Sequence, residues 1–151
     1  MNRLLKVYNT LEKFPLGKGL FSKLVCLNAP YFGTIKPKYQ EFRPGYGRIT
    51  MKKRRGITNH IKSVHAIAMA NLCELVGGST LEITLPADMR WIPSGMDIKY
   101  LKIARTDLEA TVEIDAAQLT GKQTITLEIP VTDTNGEEVV HASIRMHISP
   151  K

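Results

Sequence analysis

The apolar positions change period along the chain, and each period predicts an element. Leu4, Leu5, Tyr8 and Leu11 fall on one helical face, and Pro15 closes that helix. A second short helical piece runs from Leu16 towards Leu27, where Asn28-Ala29-Pro30 breaks it. Residues 35–52 read as a hairpin. Tyr39, Glu41 and Arg43 alternate with Gln40 and Phe42, and Pro44-Gly45 supplies a turn before Tyr46–Lys52. The stretch SVHAIAMANLCELVGG predicts a helix with Ser63 as candidate N-cap. Only His65, Asn71 and Glu74 interrupt its apolar surface, so it belongs inside the fold. Past Gly77 and Gly78, STLEITL fits either a continuation of that helix or a separate strand.

After Pro86 the period becomes two. Strands are expected at Trp91–Ile103, Asp107–Ile114, Lys122–Thr134 and Glu137–Ile148, and Asn135-Gly136 is a two-residue hairpin turn. Such a sheet has one buried face, and the long apolar helix can cover it. The expected class is α+β, an antiparallel sheet wrapped around one long central helix. Residues 1–29 form an N-terminal helical extension and 30–151 the core of a single domain.

Composition narrows the reading. A length of 151 residues fits one domain, and 43% apolar residues suffice for its core. No apolar run approaches the roughly 20 residues of a membrane-spanning helix. Charge interrupts MNRLLKVYNTLEKF too often for a signal peptide, so a cytoplasmic protein is expected. Cys26 and Cys73 lack CxxC spacing and the four histidines form no HExxH or Cys/His cluster, so neither a structural zinc site nor a disulfide framework is expected; no metal and no cofactor are expected. The net charge of +7 is local. Lys36–Arg55 holds eight cations against Glu41, leaving 13 cations and 13 anions elsewhere. That window suits a phosphorylated partner, and a solvated rim of loop and strand would look the same.

Two places carry candidate chemistry. Glu74 lies between Cys73 and Leu75 in the most apolar helix. A carboxylate there must be paired, protonated or facing a cleft, because an unpaired buried charge costs several kcal/mol. A desolvated carboxylate suits a general base or nucleophile; a structural Glu held by a backbone donor or a lysine is the alternative. Asn71 lies about 60° away on the same side of the helix. The helix start, TNHIKSVHA, offers free N–H groups and a positive dipole end to a developing oxyanion, with Asn59 and His60 as side-chain donors. Ordinary capping would use the same groups.

The stretch NHIKSVHAIAMANLCELVGG, followed by DIKYLKIARTDLEATVEI, resembles the hotdog-fold acyl-CoA thioesterases of the phenylacetate-pathway type. It is closest to a branch known mainly as a domain of unknown function. The resemblance runs from about Pro30 to the C-terminus. The family pattern is an Asn, six residues later the His of a His-Gly pair, and an acid eight residues past that Gly. Asn59 and His65 keep the first interval, Ala66 takes the Gly position, and Glu74 follows eight residues later.

The resemblance implies an α+β hotdog fold and an acyl-CoA thioester hydrolase. It implies that the Ala66 N–H polarises the thioester carbonyl, that Asn59 assists, and that Glu74 activates or orients water or attacks directly. His65 falls among the substrate-binding positions. In the family the carbonyl-binding residues and the acid come from different subunits, so a homodimer or homotetramer is implied. Two departures stand out. Ala66 puts a methyl near the acyl path. The Ser or Thr that helps hold the water on the following strand aligns with Pro93, and Ser94 is adjacent. Lys52, Lys53, Arg54 and Arg55 are candidates for the phosphates of coenzyme A.

Three other readings remain. Ala66 and Pro93 favour a non-catalytic acyl-CoA or acyl-chain binding protein. A hotdog dehydratase would use His60 and Glu74, fourteen residues apart, but the proline- and glycine-rich stretch between them is missing. Nucleic-acid binding through the basic window lacks a motif. No membrane partner is expected.

Overall fold

The computed structural model describes residues 2–151; Met1, counted above in the N-terminal extension, lies outside them. Helix α1 (Arg3–Leu11) starts where the Asn2 side chain accepts the Leu4 N–H at 2.8 Å. Helix α2 (Gly17–Asn28) follows a tight corner. There Leu16 adopts a left-handed φ of 64°, and any Cβ at position 17 would overlap the Leu11 carbonyl. Glycine is therefore required at that corner. Tyr8, Phe21, Tyr39 and Phe42 lock both helices to the sheet, with ring centroids 4.9–5.6 Å apart.

Six strands form one sheet: β1 (Lys38–Arg43), β2 (Tyr46–Met51), β3 (Met89–Tyr100), β4 (Leu108–Glu113), β5 (Gln123–Thr132) and β6 (Glu138–Pro150). The order is β1-β2-β4-β5-β6-β3, antiparallel throughout. The inner face carries buried alternate residues, such as Val140, Ala142, Ile144, Met146 and Ile148 of β6, while β3 buries only Met89. The sheet wraps helix α3 (Ala66–Thr84), which contacts all six strands. This is the α+β hotdog architecture.

Two expectations change, and the alternative left open for STLEITL is decided. The helix is capped by His65, not Ser63: His65 Nδ1 accepts the Ile67 N–H at 3.1 Å. Ser63 is held instead by Asn59, whose Oδ1 accepts the Ser63 N–H and whose Nδ2 donates to Ser63 Oγ. STLEITL continues the helix to Thr84. Leu81 and Ile83 bury against the sheet there, and Thr84 Oγ1 donates to the Thr80 carbonyl, so packing overrides β-branched propensity. At 19 residues α3 is also long and apolar enough to cross a membrane, beyond what the sequence pattern indicated. Its apolar surface instead serves burial within the sheet. Strand boundaries fall within three residues of expectation, with Leu101–Ile103 lying beyond the end of β3.

Candidate active site

The start of α3 is assembled by the loop before it. Thr58 and Val64 form an isolated antiparallel bridge, and the Val64 N–H donates to the Ala104 carbonyl. Asn59 closes this loop. Its Oδ1 accepts from both Ile61 and Ser63 N–H groups, and one hydrogen of its Nδ2 goes to Ser63 Oγ at 2.8 Å. Among the described residues the second Nδ2 hydrogen has no acceptor, which leaves it for an incoming one. Lys62 adopts the left-handed φ of 61° that the tight turn demands. With Ile67 capped by His65, the half-buried Ala66 presents an N–H that has no acceptor among the described residues. It combines an open backbone donor with the positive end of a 19-residue helix.

Glu74 lies two turns further on. It is half-buried, and among the described residues it makes no hydrogen bond or ion pair. Ile67, Ala70 and Glu74, at i, i+3 and i+7, form an uncovered stripe on a mostly buried helix. Further along, the stripe is roofed. The Trp91 ring lies on Gly78, where a Cβ would clash with it, and its Nε1 donates to Glu82 Oε2 at 2.9 Å. Asn71 faces inward and is only 5% exposed. Its Nδ2 donates to Thr34 Oγ1 at 3.1 Å, while its Oδ1 is buried without a partner. It borders a cavity of about 180 Å³ shared with Tyr31, Thr34, His65 and Ile67. Asn71 turns towards Thr34 while Glu74 lies on the uncovered stripe, and among the described residues no hydrogen bond joins them.

Strand β3 walls the stripe. The sheet register slips between Pro93 and Gly95, so Ser94 is the extra residue of a β-bulge. The slip moves the inner face from Trp91 and Pro93 to Met96, Ile98 and Tyr100, which pair with the buried residues of β6. Ser94 Oγ donates to the Arg145 carbonyl at 3.2 Å, so its hydroxyl helps close the bulge. Tyr100 was not singled out in the sequence. Its hydroxyl donates to the Ala66 carbonyl at 3.3 Å, and desolvation raises its pKa above the ordinary value. Its place in IKYL on a period-two strand is the signal that could have found it. The Cys73 thiol is pushed up to about 12 by burial, which keeps it protonated and inert.

The structure divides the basic tetrad. Lys52 faces a cleft of about 660 Å³ with Lys36, Lys38 and Arg54, but Asp107, Glu109 and Asp133 line it too. Lys53, Arg54 and Arg55 line a second groove of about 810 Å³ with Asn59, His60 and Lys62, and no acid borders that one. Arg54 donates to the Thr34 carbonyl, and the Lys53 N–H donates to Asp107 at 2.8 Å. Among the described residues no cluster of His, Cys, Asp and Glu has the arrangement of a metal site.

A six-stranded antiparallel sheet around one long helix, with an open N–H at the helix start and an acid two turns on, defines a protein of the hotdog fold. Residues 17–148 match the family described as "Domain of unknown function (DUF4442)", and the chain belongs to that family. No curated protein matches it. The genomics structure APC5556 is similar at 32% identity and a TM-score of 0.87, covering 98% of this chain and 99% of its own. PA5026 of Pseudomonas aeruginosa, a protein of unknown function named a probable thioesterase, is 24% identical with a TM-score of 0.80; the match covers 91% of this chain and 97% of that one. A hypothetical thioesterase of Streptococcus pneumoniae, solved with coenzyme A, is 19% identical with a TM-score of 0.65, covering 76% and 90%.

Proposed function

We propose that the protein hydrolyses acyl-coenzyme A thioesters at a site completed by a second copy of the chain. The observation that carries this reading is the separation of two unpartnered groups on one helix. Eight residues put the Ala66 N–H and Glu74 about 12 Å apart along the axis and about 80° apart around it. That is too far for both to serve one carbonyl and its attacking water. A twofold partner laid along β3 brings the second copy's Glu74 towards the Ala66 N–H. The thioester carbonyl accepts from Ala66 N–H and the free Asn59 Nδ2 hydrogen. Glu74 takes a proton from water as its oxygen adds to the carbonyl carbon. Collapse of the tetrahedral adduct breaks the C–S bond, the acid leaves, and the thiolate takes up the proton. Lys53, Arg54 and Arg55, in the groove beside Asn59, suit the phosphates of coenzyme A.

One observation favours the alternative of acyl-CoA binding without turnover. Ser94 spends its hydroxyl on the Arg145 carbonyl, which leaves the water-holding position beside Pro93 without a donor. Incubation with a panel of acyl-CoAs and detection of free thiol separates the two. Release of thiol supports hydrolysis; tight binding of the same panel with no thiol supports the binding protein.

A further inference from the structure

Helix α2 turns a row of leucines away from the core. Leu20, Leu24 and Leu27 lie within about 60° of one another around the helix, and Leu16 precedes them. Phe21 and Ser22, on another face, are buried. Leu16 is 90% exposed and Leu27 77%, and Phe14 and Tyr31 extend the patch at its two ends. A contiguous apolar surface of this kind marks an interaction site.

Charge selects the partner. Residues 13–40 hold five lysines and no acid. Lys13, Lys23 and Lys38 are exposed, while Lys18 is turned to the Gln40 carbonyl at 2.6 Å. Phe14, Leu16 and Leu20 share a groove of about 620 Å³ with Lys23 and Lys38, in which Glu12 is the one acid. A second copy meeting this face would offer residues 13–40 no counter-charge from the same stretch, which holds no acid. An anionic surface is complementary to it. We propose that α2 docks in the plane of an anionic lipid bilayer. Its leucines enter the boundary between headgroups and acyl chains, Lys13, Lys23 and Lys38 meet lipid phosphates, and Tyr31 sits at the interface. This surface contact needs no membrane-spanning segment, and it stands apart from the hydrolase reading.

The test is flotation of the full chain with vesicles of phosphatidylcholine plus phosphatidylglycerol, and with phosphatidylcholine alone. The wild type is expected to float with the anionic vesicles only, and less as salt rises. Leu20→Glu/Leu27→Glu is expected to weaken the partition at least about tenfold, with unchanged Tm and unchanged oligomer size. Three results would overturn the proposal. The wild type fails to float with anionic vesicles, or the leucine variant floats as well as the wild type. The third is a smaller oligomer for the leucine variant in vesicle-free light scattering, which assigns the face to a second copy.

Discussion

At one end of the sheet, α2 lies along β1 and bonds its outward groups. Ser22 Oγ accepts the Tyr39 N–H at 3.0 Å, and Lys18 Nζ donates to the Gln40 carbonyl at 2.6 Å. At the other end, β3 pairs with β6 on one side and with nothing on the other among the described residues. Pro93 and the bulge interrupt part of that edge, but Gly95–Tyr100 stays open beside exposed Ile67, Tyr100, Leu101 and Ile103. Open edges are liabilities that proteins cover, charge or pair. This chain covers one with its own helix and leaves the other bare next to the proposed catalytic stripe. The contrast teaches that the N-terminal helices complete the protomer, and that the β3 edge is left free for the second copy proposed above.

The sharpest way to break that argument is Glu74→Gln. The change keeps size and shape and removes the ionisable carboxylate. If the open edge exists to bring this residue to a partner's substrate, thiol release should fall by about 10²–10⁴-fold. Glu74 has no hydrogen bond to lose among the described residues, so Tm should stay within a few degrees of wild type. Near-wild-type turnover at an unchanged Tm rules out the catalytic role.

The edge itself comes next. Ile67→Glu/Tyr100→Glu places charges on side chains 56% and 49% exposed in the protomer, which a partner would cover. Light scattering should show the wild type as a dimer or tetramer and the variant as a monomer, with activity lost alongside. A wild type that is already monomeric defeats the shared-site mechanism.

These tests rest on features of unequal visibility in the sequence. Strands β4, β5 and β6 show themselves because one face of each carries buried alternate residues, while β3 buries only Met89 and shows itself through its position after Pro86. The end of α3 does not, because Thr80, Ile83 and Thr84 favour strand locally and only the surrounding sheet keeps them helical. The Ser63 cap fails for a similar reason: Asn59 captures Ser63 across four residues, a competition spacing cannot show. Pro93-Ser94-Gly95 marks a break in β3, yet only the register places the extra residue at Ser94. The outward row of α2 was hidden too. Leu20 and Leu24 alternate with Phe21 and Val25, all apolar, so composition could not choose the exposed face.

On the covered edge a smaller effect of different kind is expected. Ser22→Ala strands the buried Tyr39 N–H, at about 1–3 kcal/mol. Tm should drop by several degrees while oligomer size and activity per folded molecule hold. A change in assembly from Ser22→Ala would remove the distinction between the two edges.

The smallest effect lies on neither edge. On the outer face of β5 and β6, His141 Nδ1 meets Glu138 Oε1 at 2.6 Å and Nε2 meets Glu128 Oε2 at 2.8 Å, while Ser143 Oγ donates to Glu128 at 2.6 Å. The hydrogen bond to Glu138, then that to Glu128, holds His141 above its ordinary pKa. Ser143, then His141, holds Glu128 below the usual carboxylate value. The raised His141 stabilises the fold fully below the unfolded histidine pKa near 6.5, and that contribution is lost as pH rises through the higher folded value. The lowered Glu128 acts in the opposite sense, present above its unfolded value and lost as pH falls through its folded one. Their joint contribution therefore peaks at mildly acidic pH. These side chains are 36–56% exposed, so the effect is small and falls with salt. Tm measured across the neutral range for wild type and His141→Gln isolates it. The difference between them should shrink as pH rises past neutrality, with assembly unchanged. A difference independent of pH would show that His141 contributes by shape and hydrogen bonding rather than by its charge.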